Sequence, residues 1–302
     1  MPSSEPILEI QDLWVSRVDG GEALLKGVSL ALCPGEMLGI VGESGAGKTL
    51  LALALMGVLP ETLRVSAGSA KFQGEELLRR PEAELQRLRG TQIAMILTGG
   101  RDALNPMETV GRQIRHVIQS HLTLEKEAQE QLVVDILNSV GIPDAEERAK
   151  AYPHELSGGM AQRILIAQAI VCEPELLIAD EPTSDLDVTV AAQVLDGMKS
   201  VIDERGSASI LLTRDLGIVA ENCDSVAVFG GGELLEFGPV GAFFANPTHP
   251  ASKALVSDAL VALTNEGVER GTEAATRSVV SAEDGGYEEI TAGHYVKRFS
   301  HA

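Results

Sequence analysis

Apolar residues fall along this chain in short runs broken by turn-formers, and their spacing alternates between strand-like and helix-like. Ile7 to Trp14 and Leu24 to Leu32 read as strands divided by the turn Asp19-Gly20-Gly21. Met37-Leu38-Gly39-Ile40-Val41 is a continuous apolar run of strand length, and Leu50 to Met56 after it reads as a buried helix. A short strand is expected at Ala70-Lys71-Phe72, a charged helix over Glu82 to Arg89, and a buried strand over Ile93 to Leu97 that ends in the loop Thr98 to Pro106. From Thr109 to about Ala149, Val110, Ile114, Val117 and Ile118, then Leu132, Val133, Ile136, Leu137 and Val140, recur at helical spacing. Those helices lie between two α/β portions, so an inserted helical subdomain is expected. Leu156-Ser157-Gly158-Gly159-Met160-Ala161-Gln162-Arg163 opens a helix to about Val171, and Leu176 to Ala179 is an apolar strand ending in Asp180-Glu181. Glu266 to Asp284 is polar and reads as linker, whereas Tyr287 to Phe299 is expected to hold a short docked strand.

Composition narrows the class. A chain of 302 residues accommodates one large α/β domain with a small appendage, and with 3% aromatics its core must be built from Leu, Val, Ile and Ala. A net charge of −20 argues against a nucleic-acid binder, because few Lys and Arg are available to neutralise phosphates. Cys33, Cys172 and Cys223 form no C-x-x-C pair, which favours isolated thiols in a reducing compartment. The start Met1-Pro2-Ser3-Ser4-Glu5-Pro6 lacks a signal-peptide pattern, and no apolar run approaches the roughly 20 residues that span a bilayer. The expectation is a soluble, cytoplasmic protein.

The candidate chemistry begins where the strand Met37 to Val41 meets the following helix. Gly42-Glu43-Ser44-Gly45-Ala46-Gly47-Lys48-Thr49 fits G-x-x-x-x-G-K-[S/T] in the strand-to-helix setting that the motif requires. The glycines let the backbone curl so that successive N–H groups face a phosphate, and the helix N-terminus adds a favourable dipole. Lys48 is expected to reach the β- and γ-phosphates of ATP and the Thr49 hydroxyl to bind Mg²⁺, with Leu50 completing the nucleotide-binding set. The bland alternative is a glycine-rich turn that matches by accident. The bare pattern arises by chance in about 1 in 100 such chains before its setting is counted, so a nucleotide site is preferred.

A phosphate loop, Leu156-Ser157-Gly158-Gly159 with Gln162, and a strand ending in Asp180-Glu181-Pro182 before Ser184-Asp185-Leu186-Asp187 occur here in that order. The set closely resembles the ATP-binding subunits of ABC transporters. The resemblance implies an α/β fold of the ABC-type P-loop ATPase class, with a RecA-like core, an antiparallel β-subdomain and an inserted α-helical signature subdomain. It covers residues 5–260, with the helical subdomain at about 104–172 and a tail over 261–302. It implies that Asp180 holds Mg²⁺ and that Glu181 polarises the attacking water. Adjacent strand residues point to opposite sides, so the two acids are expected to serve metal and water separately. It also implies that Leu156, Ser157, Gly158, Gly159, Met160 and Gln162 cover ATP bound by a partner subunit. Gly42-Glu43-Ser44-Gly45, Leu104-Asn105-Pro106, Tyr152 to Met160 and Phe243 to Pro250 are most similar to the oligopeptide, dipeptide and nickel importer ATPases. That likeness implies a second ABC ATPase subunit, two membrane permeases, an extracytoplasmic substrate-binding protein, and a peripheral place on the cytoplasmic face of the membrane.

Three positions depart from that pattern. Thr98 stands where the family has a glutamine that contacts Mg²⁺ and the γ-phosphate, and Arg214 where it has a histidine that bonds the γ-phosphate. Arg17 stands where an aromatic ring stacks on adenine, with Trp14 a substitute if the register slips. Threonine is too short for the glutamine's task, and arginine is not a neutral donor and acceptor as imidazole is. Tolerated drift in a working site is the bland reading. A degenerate site that holds ATP, paired in a heterodimer with a working site, is preferred because two contacts to one phosphate are lost together. The competing function is a soluble ABC module that clamps a non-transport enzyme complex, as in phosphonate breakdown. A DNA-repair role is disfavoured by charge and by the lack of a long heptad coiled coil.

Overall fold

The computed structural model describes residues 5–263, apart from Asp185 and Asp187, and residues 286–297. Strands β1 (Leu8–Arg17), β2 (Ala23–Leu32) and β3 (Met37–Val41) lead into helix α1 (Lys48–Leu55), followed by β4 (Leu63–Phe72), β5 (Glu75–Glu76) and α2 (Glu82–Leu88). Next come β6 (Ile93–Ile96), α3 (Val110–His121), α4 (Lys126–Ser139), α5 (Ala145–Arg148), α6 (Gly158–Ile170), β7 (Leu176–Asp180) and α7 (Val188–Arg205). The chain continues through β8 (Ala208–Thr213), α8 (Leu216–Asn222), β9 (Ser225–Gly230) and β10 (Glu233–Pro239). It then forms α9 (Val240–Ala245), α10 (Pro250–Leu263), β11 (Tyr287–Thr291) and β12 (His294–Lys297). These elements fall into two units, one drawn from Met1–Leu85 and Ala208–Ala302, the other from Gln86–Ser207.

The first unit carries an antiparallel sheet in the order β2-β1-β4-β5 and six strands in the order β11-β12-β10-β9-β3-β8. β3 lies parallel to both β8 and β9, and all five of its residues are buried, which is why its sequence is a continuous apolar run rather than an alternation. Gly39 in β3 lets α8 approach closely: a Cβ there would stand 2.6 Å from a Val219 methyl. Val41, Leu216, Val219, Val226, Val228, Phe243 and Val256 close this core. In the second unit β6 and β7 pair in parallel. Val110, Ile114 and Ile118 of α3 are buried at helical spacing, and α6 is buried on nearly every side, which fits its high apolar content.

The α/β class with an antiparallel sheet and a helical run is the one expected. Two elements differ in extent. The short strand expected at Ala70 to Phe72 is the end of the ten-residue β4, whose earlier residues alternate through Leu63, Val65 and Ala67 and pair with β1. The tail expected to hold one strand forms the hairpin β11–β12, turning at Gly293 (φ 76°) and pairing with β10. Phe299 and the linker expected over Glu266 to Asp284 lie outside the described residues.

That hairpin is seated on a buried carboxylate. Glu236 of β10 and His294 of β12 are 0% and 1% exposed, with Oε1 and Nε2 2.7 Å apart. Glu236 also accepts backbone N–H bonds from Thr248 (2.9 Å) and His249 (2.7 Å), so a single side chain ties β10, the start of α10 and the tail together. Burial alone raises its pKa. The hydrogen bonds from His294, Ser252, His249 and Thr248 outweigh that and hold it below the usual carboxylate range. A depressed carboxyl pKa contributes stability above the unfolded value, and that stability is lost as pH falls through the folded one. His294→Ala is expected to lower stability by about 2 kcal/mol in urea unfolding at neutral pH. The difference from the parent is expected to shrink in acid, where Glu236 is protonated.

Candidate functional site

The phosphate loop leaves the carboxyl end of β3, and its shape demands glycine. A Cβ on Gly42 would stand 2.3 Å from the Phe229 carbonyl oxygen, and Gly45 and Gly47 sit in the left-handed region at φ 80° and 104°. Ala46 is buried, while Glu43, Ser44 and Thr49 are exposed. The Lys48 ammonium is 6% exposed and donates to the carbonyls of Gly42 (2.6 Å) and Glu43 (3.2 Å), so it is held over the loop. The first i to i−4 bond of α1 runs from Leu51 N to Gly47 O (2.9 Å). The amides of Lys48, Thr49 and Leu50 precede it, at the positive end of the helix, where an anion is favoured.

The loop is braced by a glycine that the sequence reading missed. Gly232 donates to Ala46 O (3.1 Å), and its own carbonyl accepts from Lys26 N (2.9 Å) in β2. Gly232 has φ 85°, and a Cβ on it would stand 2.1 Å from Leu24 O. The signal for it was the run Gly230-Gly231-Gly232 at the β9–β10 turn, a density of glycine that a simple hairpin does not need.

Arg214 follows directly on Thr213, and Thr213 pairs with Val41, the residue before Gly42. The parallel register therefore brings Arg214 and the phosphate loop out of neighbouring strand ends. Arg214 is exposed, and the turn that carries it is fixed: Asp215 N donates to Thr213 Oγ1 (3.0 Å) and Asp215 Oδ1 accepts from Gly217 N (2.8 Å), capping α8. Arg17 ends β1, exposed, paired with Leu63, its stem laid against Gly21. Trp14 stays inside the sheet, paired with Ala67, its Nε1 donating to Asp12 Oδ1 (2.8 Å) and its ring against Gly27.

In the second unit, Asp180 is the last residue of β7 and 4% exposed. Glu181 has left the strand, in the left-handed region at φ 46°, a costly conformation for a non-glycine residue. The two acids are thus separated by a backbone turn, and not by the strand alternation expected from sequence. Ile96 pairs with Ala179, so the exposed Thr98, two residues on, leaves the strand end beside the one that carries Asp180 and Glu181. Ser157 caps α6, its Oγ accepting from Met160 N (3.2 Å). Ser157 and Gly158 are exposed, and a Cβ on Gly159 would stand 2.7 Å from Val190 Cγ1 in α7. Leu156 and Gln162 are each 3% exposed. They lie inside this unit, beneath the exposed helix start, and Gln162 Oε1 lies 3.9 Å from the Cβ position of Gly100. Asp185 and Asp187 lie outside the described residues.

Residues 25–184 match the family model described as ABC transporter. The chain is 44% identical over 265 residues to the oligopeptide transport ATP-binding protein OppD of Salmonella typhimurium, covering 87% of this chain and 78% of that one. It is 43% identical over 255 residues to the dipeptide transport ATP-binding protein DppD of Bacillus subtilis, covering 83% and 76%. Among solved structures, cbiO1 of Clostridium perfringens, part of the ABC transporter complex cbiONQ, superposes with a TM-score of 0.70 at 25% identity, covering 87% of this chain and 97% of that one. The ATP-binding cassette MJ0796, a dimer bound to ADP and Pi, shares the fold with a TM-score of 0.69 at 21% identity, covering 77% and 98%.

The brace at Gly232 makes a prediction independent of any ligand. Gly232→Ala, which meets both a left-handed φ and the Leu24 carbonyl, is expected to cost on the order of 3 kcal/mol. Thermal unfolding checks the loss, and hydrogen exchange at the amides of Ala46 to Leu50 is expected to accelerate.

Proposed function

The chain belongs to the ABC transporter family of ATP-binding proteins, and on that footing we propose that it couples ATP to the import of oligopeptides or dipeptides. It is an ABC-type ATPase. The substrate class rests on one observation, the identity that most of its length shares with the OppD and DppD proteins. We infer that residues 5–260 form the ATPase module, that 104–172 hold its signature subdomain, and that 261–302 form an accessory tail.

In this reading Gly42 to Leu50 cradle the phosphates of ATP. Lys48 neutralises charge on the β- and γ-phosphates, and the Arg17 guanidinium faces the base in place of an aromatic ring. The Thr49 hydroxyl and the buried Asp180 carboxylate are hard oxygen donors of the kind Mg²⁺ takes. When bound, Mg²⁺ offsets the negative charge that develops on the transferring phosphoryl group. Glu181 orients water, and its strained backbone supports a functional role. Ser157, Gly158, Gly159 and Met160, seated on buried Leu156 and Gln162, close over ATP held by a second ABC ATPase.

The two halves of that heterodimer are unequal. Thr98 and Arg214 emerge from the strand ends beside the acids and the phosphate loop respectively, where a γ-phosphate contact is needed, and neither side chain reproduces it. This chain's own site therefore holds ATP and hydrolyses it slowly or not at all, while its intact signature serves the working site. Two permeases, an extracytoplasmic binding protein and a peripheral place on the cytoplasmic face of the membrane complete the assembly. No described helix is long and apolar enough to cross a membrane. Leu97, Met107, Leu124 and Tyr152 in the second unit are exposed apolar residues available to a permease.

Lys48→Ala is expected to weaken Mg·ATP binding to the isolated chain by about 10- to 100-fold in calorimetry, through the lost charge-assisted contact. The same variant is expected to impair uptake of a labelled tripeptide by the reconstituted importer. Unchanged ATP affinity removes the nucleotide assignment. Normal ATP-driven turnover with no peptide uptake removes the substrate assignment alone.

A further inference from the structure

The segment that follows β6 does more than carry Thr98. Gly99 and Gly100 both adopt left-handed φ values, 123° and 48°, and turn the chain into a 3₁₀ helix over Gly100–Ala103. Asp102 N donates to Gly99 O (2.9 Å) and Leu104 N to Arg101 O (3.2 Å), and the buried Leu104 anchors the far end. The turn aims the Arg101 guanidinium at the start of α6, where Nη2 donates to the carbonyl of Leu156. Leu156 immediately precedes the cap Ser157. Its N–H bonds to Pro153 O (3.3 Å), in a turn that is itself held by Tyr152 N donating to Glu155 Oε2 (2.7 Å). The Leu156 backbone is thus held at both its N–H and its carbonyl, the carbonyl by a guanidinium.

We propose that Arg101 is a positioning residue that fixes the helix start Ser157-Gly158-Gly159 for the partner's ATP. This rests on the reading that those residues close over that nucleotide. The chemical reason is that backbone N–H donors stabilise a phosphoryl transition state only as well as they are placed, and a misplacement of about 1 Å costs on the order of 100-fold in rate. Arg101 lies on the same short segment as Thr98, which exits beside Asp180 and Glu181. The Arg101 guanidinium thus links the segment that leaves that strand end to the backbone just before the signature.

The test uses the reconstituted complex with Arg101→Ala, Arg101→Lys and the control Ser157→Arg. Arg101→Ala is expected to lower kcat about tenfold while KM for ATP shifts less than about twofold, because placement and not initial binding is lost. Arg101→Lys, which keeps a cationic donor, is expected to recover part of the rate. In the full chain, Arg101→Ala is expected to speed amide exchange at residues 157–160 and leave that of β9 unchanged. If Arg101→Ala turns over like the parent while Ser157→Arg does not, the role of Arg101 is overturned and the signature assignment stands. If Ser157→Arg is also active, the assignment beneath it falls. An Arg101→Ala complex in which Arg101→Lys rescues nothing and exchange at 157–160 is unchanged also overturns the proposal.

Discussion

A phosphate can be held by backbone amides only where the chain curls tightly at a helix start, and in this protein the parallel β3–β8 register supplies the place. Val41 is buried on both faces of β3 and pairs with Thr213. The next residue, Gly42, has a backbone oxygen where any side chain would go. From that point the loop is forced through two left-handed glycines into α1, and Gly232 closes it from the other side. The helix dipole and the first-turn amides are then fixed in space before any nucleotide arrives, so little reorganisation is needed on binding. Arg214 inherits its place from the same register, one residue beyond Thr213.

The same logic in the second unit places Thr98 beside Asp180 and Glu181 through the pairing of Ile96 with Ala179. Thr98 at one strand end and Arg214 at another stand where the family resemblance expects a glutamine and a histidine. In the proposed heterodimer, a cation at one and a short hydroxyl at the other keep the charge balance for binding and lose the geometry for hydrolysis. The start of α6 keeps the family pattern: Ser157 caps it, Gly158 is exposed, and Arg101 donates to the Leu156 carbonyl just before it.

Much of this was legible in the sequence because the decisive residues are close together and their chemistry is local. Gly42 to Thr49, the helix start at Ser157, the apolar strand before Asp180 and the periodic α3 all declare themselves within a window of a few turns. What stayed hidden depends on residues far apart in the chain. The full length of β4 shows in its pairing with β1, and β10 receives the tail hairpin because Glu236 finds His294 58 residues away. The left-handed turn at Glu181 was equally invisible, since strand alternation is the natural assumption for two acids at the end of an apolar run. Gly232 and Arg101 were missed for the same reason: each acts on a backbone atom of a distant segment.

In the proposed heterodimer this chain holds ATP and its partner hydrolyses it. Steady-state ATPase activity of the assembled complex tests it most directly, with a glutamate-to-glutamine change made first at Glu181 here and then at the matching acid of the partner. Glu181→Gln is expected to leave turnover within about twofold of the parent, and the partner's change to lower it by at least about 100-fold. A Glu181→Gln complex as inactive as the partner's variant contradicts the account, and Thr98 and Arg214 are then working substitutions in a catalytic site.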